Sequence, residues 1–243
     1  MRPAARKEKS TGKRIRRRMI PALLLAAVIL AWCLYTADYY RADAAALQAM
    51  ESNDIRITRT RYGWYFDGPS ETDALVFYPG AKVEETAYAA LLSRLAENGI
   101  DVCLVKMPFH LAIFGANAAE RVMMEHSFDR WYIGGHSLGG AMAAAFAEKH
   151  DLDGVILLAA YPIGPLEEPM LLLRGSRDGV LNLDRAVNAS EFGDVEEHVL
   201  EGGNHAQFGD YGPQKGDGTP SITAEEQQDE TVRLILEWTK KQN

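Results

Sequence analysis

Cysteine is nearly absent: among 243 residues only Cys33 and Cys103 carry a thiol. The first lies in an apolar N-terminal stretch and the second in an expected core strand. They are not expected to bridge, and a zinc site built on cysteines is excluded. Positive charge is scarce outside one place. Residues 1–18 hold nine of the 26 basic residues and one acid, leaving 17 basic against 33 acidic residues in the rest. A body that acidic repels phosphate backbones, which argues against nucleic acid as a partner. No internal repeat is visible, and no metal or cofactor is expected. Only ten residues separate the apolar run ending at Ala159 from the one starting at Met170, too few for an inserted lid domain. An open, shallow site is expected unless the loop 109–117 closes it.

Long uncharged runs are few, and the longest is near the N-terminus. Met19 to Ala37 reads MIPALLLAAVILAWCLYTA, nineteen residues without a charge. At about 1.5 Å per residue such a helix nearly spans a bilayer core of about 30 Å. The basic tail before it belongs on the cytoplasmic side, so the chain after Ala37 is expected outside. The expectation is a single-pass signal-anchor in the cell membrane. The alternatives are a cleaved export signal and a buried soluble helix. Cleavage is disfavoured because Tyr35 stands at −3 of the nearest small-residue site, and a lipoprotein signal because Trp32 precedes Cys33. The expected organisation is a basic tail at 1–18, a span at 19–37, a helical stalk at 38–53 and a folded domain at 54–243.

Within that domain short apolar runs alternate with helical patterns, which predicts an α/β domain around a mostly parallel sheet flanked by helices. Ile55–Thr60 alternates apolar and polar as an edge strand does, with Gly63–Phe66 as its hairpin partner. Ala74–Tyr78, Val102–Val105, Arg130–Ile133, Val155–Ala159, Met170–Leu173 and Val195–Leu200 are the remaining strands. Helices are predicted at 84–98, 116–125 and 141–150. A long amphipathic one is predicted at 221–242, capped by Ser221 and burying Val232, Ile235, Leu236 and Trp238.

The strand from Arg130 leads into Gly135-His136-Ser137-Leu138-Gly139 and then an alanine-rich helix. Gly-x-Ser-x-Gly between strand and helix is the pattern of a sharp turn that pushes the serine hydroxyl outward. The following helix aims its N-terminal amides at the space beside Ser137, where charge would develop on an attacked carbonyl. An activated serine needs a base, and the base needs a carboxylate to hold its tautomer. After such a turn they follow in the order acid, then histidine. Asp178 sits just past a buried strand and is the expected acid, with Asp184 as runner-up inside a helix. Of six histidines His205, on the Gly-rich loop after the last strand, is the expected base. The oxyanion donors are expected to be the amides of Leu138 and of Ala81 or Gly80, in the loop after Tyr78. Lys82, His136 and Asn204 are candidate substrate contacts.

The order Ser137, Asp178, His205 resembles that of the α/β-hydrolase superfamily. The runs FYPGAKV, GGHSLGG, RGSRDG and GGNHAQFGDYG with QKGDG look like a bacterial group of small α/β-hydrolases, the fifth such family, related to dienelactone hydrolases. The resemblance covers roughly residues 55–240 and implies an α/β-hydrolase fold without a large cap. Serine instead of cysteine at position 137 speaks against dienelactone specificity. The expectation is a membrane-anchored serine hydrolase acting on a small-molecule or lipid-like acyl substrate. Acyl transfer by the same triad and a non-catalytic binding module are the alternatives. The polar residues 204–218 are expected to be a hydrogen-bonded scaffold, a pocket wall or an ion site.

Overall fold

The computed structural model describes residues 8–51, 54–69 and 72–242, with side chains from Pro21 onward except Ala22. The chain divides into two units, Met1–Asp38 and Tyr39–Asn243. The first contains helix α1 (Glu8–Ala37). Its described apolar side chains, among them Leu23, Val28, Leu30 and Leu34, are exposed. Among the described residues no helix is long and apolar enough to cross a membrane. The expected tail at 1–18 lies outside the described side chains, as do Met19, Ile20 and Ala22 of the expected span at 19–37.

The second unit starts at Tyr39 and not at 54, so the expected stalk at 38–53 is corrected. Tyr40 donates its N–H to Lys82 O (2.7 Å) and accepts from Glu84 N–H (2.8 Å), which lays this segment along the domain. Asp43 then caps α2 (Ala44–Met50) by accepting from the amides of Ala45 and Ala46. Ala46 is fully buried. The composition of this segment, polar and rich in alanine, suits a short helix lying on a surface as well as a solvated stalk, so pattern alone did not separate the two.

The remaining elements are, in order, β1 (Arg56–Arg59), β2 (Gly63–Asp67), β3 (Asp73–Tyr78), α3 (Ala89–Glu97), β4 (Ile100–Val105), α4 (Ala118–Met123), β5 (Arg130–His136), α5 (Leu138–Ala147), β6 (Gly154–Leu158), β7 (Met170–Gly175), α6 (Leu183–Val187), β8 (Val195–Leu200) and α7 (Ala224–Lys241). Among the described residues the strands form one sheet in the order β1-β2-β4-β3-β5-β6-β7-β8. The first hairpin is antiparallel and β2 joins β4 antiparallel, whereas β4, β3 and β5 to β8 pair in parallel.

The central strands β3, β6 and β7 carry unbroken apolar runs (Ala74–Tyr78, Val155–Leu158 and Met170–Leu173) because both faces are covered. Along β3, Leu75 and Phe77 enter one core with Leu91, Leu92, Ile235 and Trp238, from α3 and α7. Val76 and Tyr78 enter the other with Phe146 and Val122, from α5 and α4. Helix α7 is capped by Thr223, not Ser221. Thr223 and Glu226 form a reciprocal capping box, satisfying two otherwise orphaned amides. Leu234 is buried where Leu236 was expected; Leu236 packs only partly against the core. All parallel strands end at the same edge of the sheet, and the loops leaving that edge carry the chemistry.

Candidate active site

Strand β5 continues to His136 and α5 begins at Leu138, so the whole turn is one residue, Ser137. Its φ of 54° and ψ of −123° are rare for a residue with a side chain. Such a conformation costs about 1–3 kcal/mol and persists only where the surroundings enforce it. Here Ser137 N–H donates to Leu158 O (2.9 Å) and Ser137 O accepts from Ala141 N–H (3.1 Å). The flanking glycines are required by close approach. A Cβ at Gly135 would lie 2.5 Å from Tyr78 O and 2.8 Å from Gly140 N, and one at Gly139 would overlap the carbonyls of Tyr78 and Pro79. The turn therefore packs directly on the loop after β3.

Asp178 stands in the turn after β7 and His205 in the loop after β8. Asp178 Oδ1 accepts from the amides of Val180 and Leu181, each at 2.8 Å. Its Oδ2 lies 2.9 Å from His205 Nδ1, with both side chains shut off from solvent (0% and 1% exposed). A carboxylate facing Nδ1 places the imidazole proton there and leaves Nε2 as an acceptor. His205 Nε2 is buried without a hydrogen-bond partner. The His205 ring packs on His136, the residue before the nucleophile, with centroids 4.5 Å apart. A free basic nitrogen thus sits beside the serine turn. Asp184 is exposed on α6. The other histidines are occupied elsewhere: His110 stacks on Tyr39, His126 lies against Tyr65, His150 stacks on Phe146 and His198 meets Glu196.

His136 does not line the surface as a substrate contact; that expectation is corrected. It is 1% exposed, and its Nδ1 lies 2.8 Å from Tyr88 Oη. Tyr88 Oη accepts the Gly80 N–H at 3.0 Å, so its own proton goes to His136 Nδ1. Burial, then the neighbouring His205, hold His136 well below the usual histidine pKa, outweighing the His205 backbone, which favours the charged form. His136 is therefore a neutral ring linking the serine turn to the loop after β3. Burial also raises the Tyr88 hydroxyl far above its usual pKa, keeping it a donor.

Three amides of that loop are occupied by hydrogen bonds. Gly80 N–H is spent on Tyr88, Lys82 N–H on His110 O (2.7 Å) and Val83 N–H on Gly80 O (3.3 Å). Gly80 N–H is thus committed to Tyr88, which corrects Gly80 as an expected oxyanion donor. A Cβ at Gly80 would come within 2.8 Å of His136 Nδ1 and 2.9 Å of Tyr88 Oη, so glycine is needed there for the link itself. On the opposite side Leu138 N–H opens α5, where first-turn amides have no partner within the helix.

Asn204 is likewise corrected. It is buried, its Nδ2 donates to Gly218 O (2.9 Å) and its Oδ1 accepts from Gln207 N–H (3.1 Å), which makes it loop scaffold. Lys82 is half-buried with a φ of 57° at the rim of the loop after β3. No cluster of acidic, histidine or cysteine side chains able to hold a metal ion occurs among the described residues. No helix or strand is inserted between β6 and β7, so no lid domain rises there. Tyr88 was not singled out from sequence as a site residue, and Asp217 only as one of the polar residues of 204–218, in a scaffold, a pocket wall or an ion site. Tyr88 carried only the signal of an apolar helix position.

Residues 74–229 match the family model described as the alpha/beta hydrolase family. No curated protein matches the sequence. Solved structures share the fold at low identity. A CIB-like hydrolase of Thermoplasma acidophilum is 14% identical with a TM-score of 0.58, over 77% of this chain and 99% of the other. Est1E of Butyrivibrio proteoclasticus is 14% identical with a TM-score of 0.55, over 75% and 98%. The thermophilic esterase Est2 of Thermogutta terrifontis, solved with butyrate bound, is 13% identical with a TM-score of 0.54, over 76% and 94%.

Proposed function

The chain belongs to the α/β-hydrolase family, and from that premise we propose that it is a serine hydrolase acting on ester-like acyl bonds. The observation that carries the reading is the buried 2.9 Å contact between His205 Nδ1 and Asp178 Oδ2, with His205 Nε2 unpartnered beside the Ser137 turn. In this reading Ser137 Oγ attacks the substrate carbonyl and its proton passes to His205 Nε2. Asp178 stabilises the imidazolium that forms and fixes the ring. The developing oxyanion is held by the amides of Leu138 and Ala81, each worth about 3 kcal/mol of transition-state stabilisation. His205 then returns the proton to the leaving alcohol. A water molecule, deprotonated by the same nitrogen, releases the acyl group and restores Ser137.

The proposal includes a place for the enzyme. Residues 19–37 anchor it in the cell membrane, with the basic tail inside and the hydrolase domain outside. The nineteen uncharged residues and the nine preceding basic ones support this. Such a tether suits a small or lipid-like acyl substrate. The test is covalent labelling by a fluorophosphonate probe. The wild-type protein is expected to react stoichiometrically and Ser137→Ala not at all; labelling that persists in Ser137→Ala refutes the assignment.

A further inference from the structure

The polar stretch after His205 is larger than a loop that merely ends in a histidine needs to be. Its residue Asp217 accepts four backbone amides. Oδ1 takes the N–H groups of Gly179 (3.0 Å), His205 (3.2 Å) and Gly218 (2.8 Å), and Oδ2 takes that of Ala206 (2.9 Å). Gly179 follows the triad acid directly, and His205 is the triad base. These two residues come from different loops, after β7 and β8, which are joined near their bases by Arg177 N–H on Gly203 O (2.9 Å) and Gly202 N–H on Ser176 Oγ (2.8 Å), and farther out by the Asp178–His205 contact. A sliding of one loop against the other by about 1 Å would break that contact, and misplacement on this scale costs about 10²-fold in rate.

We propose that Asp217 is a positioning residue that sets the acid turn and the base loop in register. The proposal rests on the serine-hydrolase reading above. One carboxylate grips the main chain next to Asp178 and the main chain of His205 itself, so the side chains of acid and base have a shared origin. Amide donors onto an ionised acceptor make short, strong bonds. The segment bearing Asp217 is itself tied down by Asn204 Nδ2 on Gly218 O and by Arg177 Nη1 on Thr219 O (3.1 Å). Asparagine cannot replace the carboxylate: one of its two heads is a donor, and both positions face N–H groups. Glutamate keeps the charge but moves it by one methylene.

The test uses the full chain as wild type, Asp217→Asn, Asp217→Glu and Arg177→Ala. Three readouts are compared: the second-order rate of fluorophosphonate labelling, kcat and KM on a p-nitrophenyl ester, and the downfield proton resonance of His205 Nδ1–H. D217N is expected to lower the labelling rate and kcat by about 10- to 100-fold with KM changed less than about threefold. It is also expected to lose or shift the downfield resonance. D217E is expected to do the same in smaller measure, and it decides the question if D217N does not fold. R177A loosens the same segment while leaving all four bonds to Asp217 in place, and is expected to behave as wild type. A folded D217N or D217E with wild-type rates and an unmoved resonance overturns the proposal, as does an R177A loss equal to that of D217N. Failure of wild-type Ser137 to label would instead refute the hydrolase reading, and the resonance would still decide the role of Asp217.

Discussion

Replacing Tyr88 by phenylalanine removes one oxygen from a fully buried position. That oxygen accepts from Gly80 N–H at 3.0 Å and donates to His136 Nδ1 at 2.8 Å. The ring still fits, so no cavity forms. The loss is two stranded polar groups, at about 1–3 kcal/mol each, or about 2–6 kcal/mol together. Against a domain stability of about 5–15 kcal/mol, Y88F remains folded but with a clearly lower urea midpoint. Activity is expected to fall as well, because Gly80 positions the neighbouring Ala81 amide. Full loss of one oxyanion donor costs about 10²- to 10³-fold. A loosened donor is expected to cost about 10- to 100-fold in kcat, with little change in KM. Urea titration followed by tryptophan fluorescence and steady-state turnover of a p-nitrophenyl ester measure the two effects. A Y88F protein with wild-type midpoint and wild-type kcat would refute the linkage. One that is destabilised but fully active would keep the packing argument and sink the oxyanion one.

Two further outcomes follow from the geometry. An alanine at Gly139 would push its Cβ into the carbonyls of Tyr78 and Pro79. G139A is expected to lose about 1–3 kcal/mol of stability through overpacking and, by shifting the Ala81 loop, about 10²-fold in kcat; unchanged ester turnover would contradict this. His136 makes stability depend on pH. Its folded pKa lies well below the unfolded value of about 6.5. The unfolded chain therefore takes up a proton that the native chain does not. Stability is whole above about pH 6.5 and declines as pH falls, by up to about 1.4 kcal/mol per pH unit for this one group. Partial burial lowers His110 too, in the same direction. Urea midpoints between about pH 7.5 and 5 should fall in the wild type and fall less steeply in His136→Asn; equal slopes would exclude His136 as the source.

The legible parts of this fold were those in which one local pattern had one physical cause. Unbroken apolar runs meant strands covered on both faces, as at Val155–Leu158 of β6, where every residue is buried. The turn at Ser137 was readable because glycine at 135 and 139 answers to the backbone of the next strand. Chain order after the serine limits the candidates, and the two expected side chains, Asp178 and His205, meet in the fold. Harder were features set by partners distant in sequence. Tyr88 looks like any buried residue beside α3, and only the placement of Gly80 and His136 gives its hydroxyl a task. His136 and Asn204 looked like polar residues near a site, but each is used up by neighbours 48 and 14 residues away. The Thr223–Glu226 box was visible in the sequence, three residues apart ahead of an apolar run, and outranks Ser221 as a cap.

The main-chain pairing of Tyr40 with Lys82 and Glu84 has a practical meaning for anyone trimming this protein. A version beginning at Asp54 would look reasonable, since it keeps every strand of the sheet and the three side chains of the proposed triad. It would, however, strip Lys82 O and Glu84 N–H of their partners, one residue and three residues beyond Ala81. The segment between the apolar helix and the first strand is thus a working part of the enzyme rather than a leash. Cutting it away is expected to yield a folded domain with a slack oxyanion loop, easily mistaken for an inactive family member.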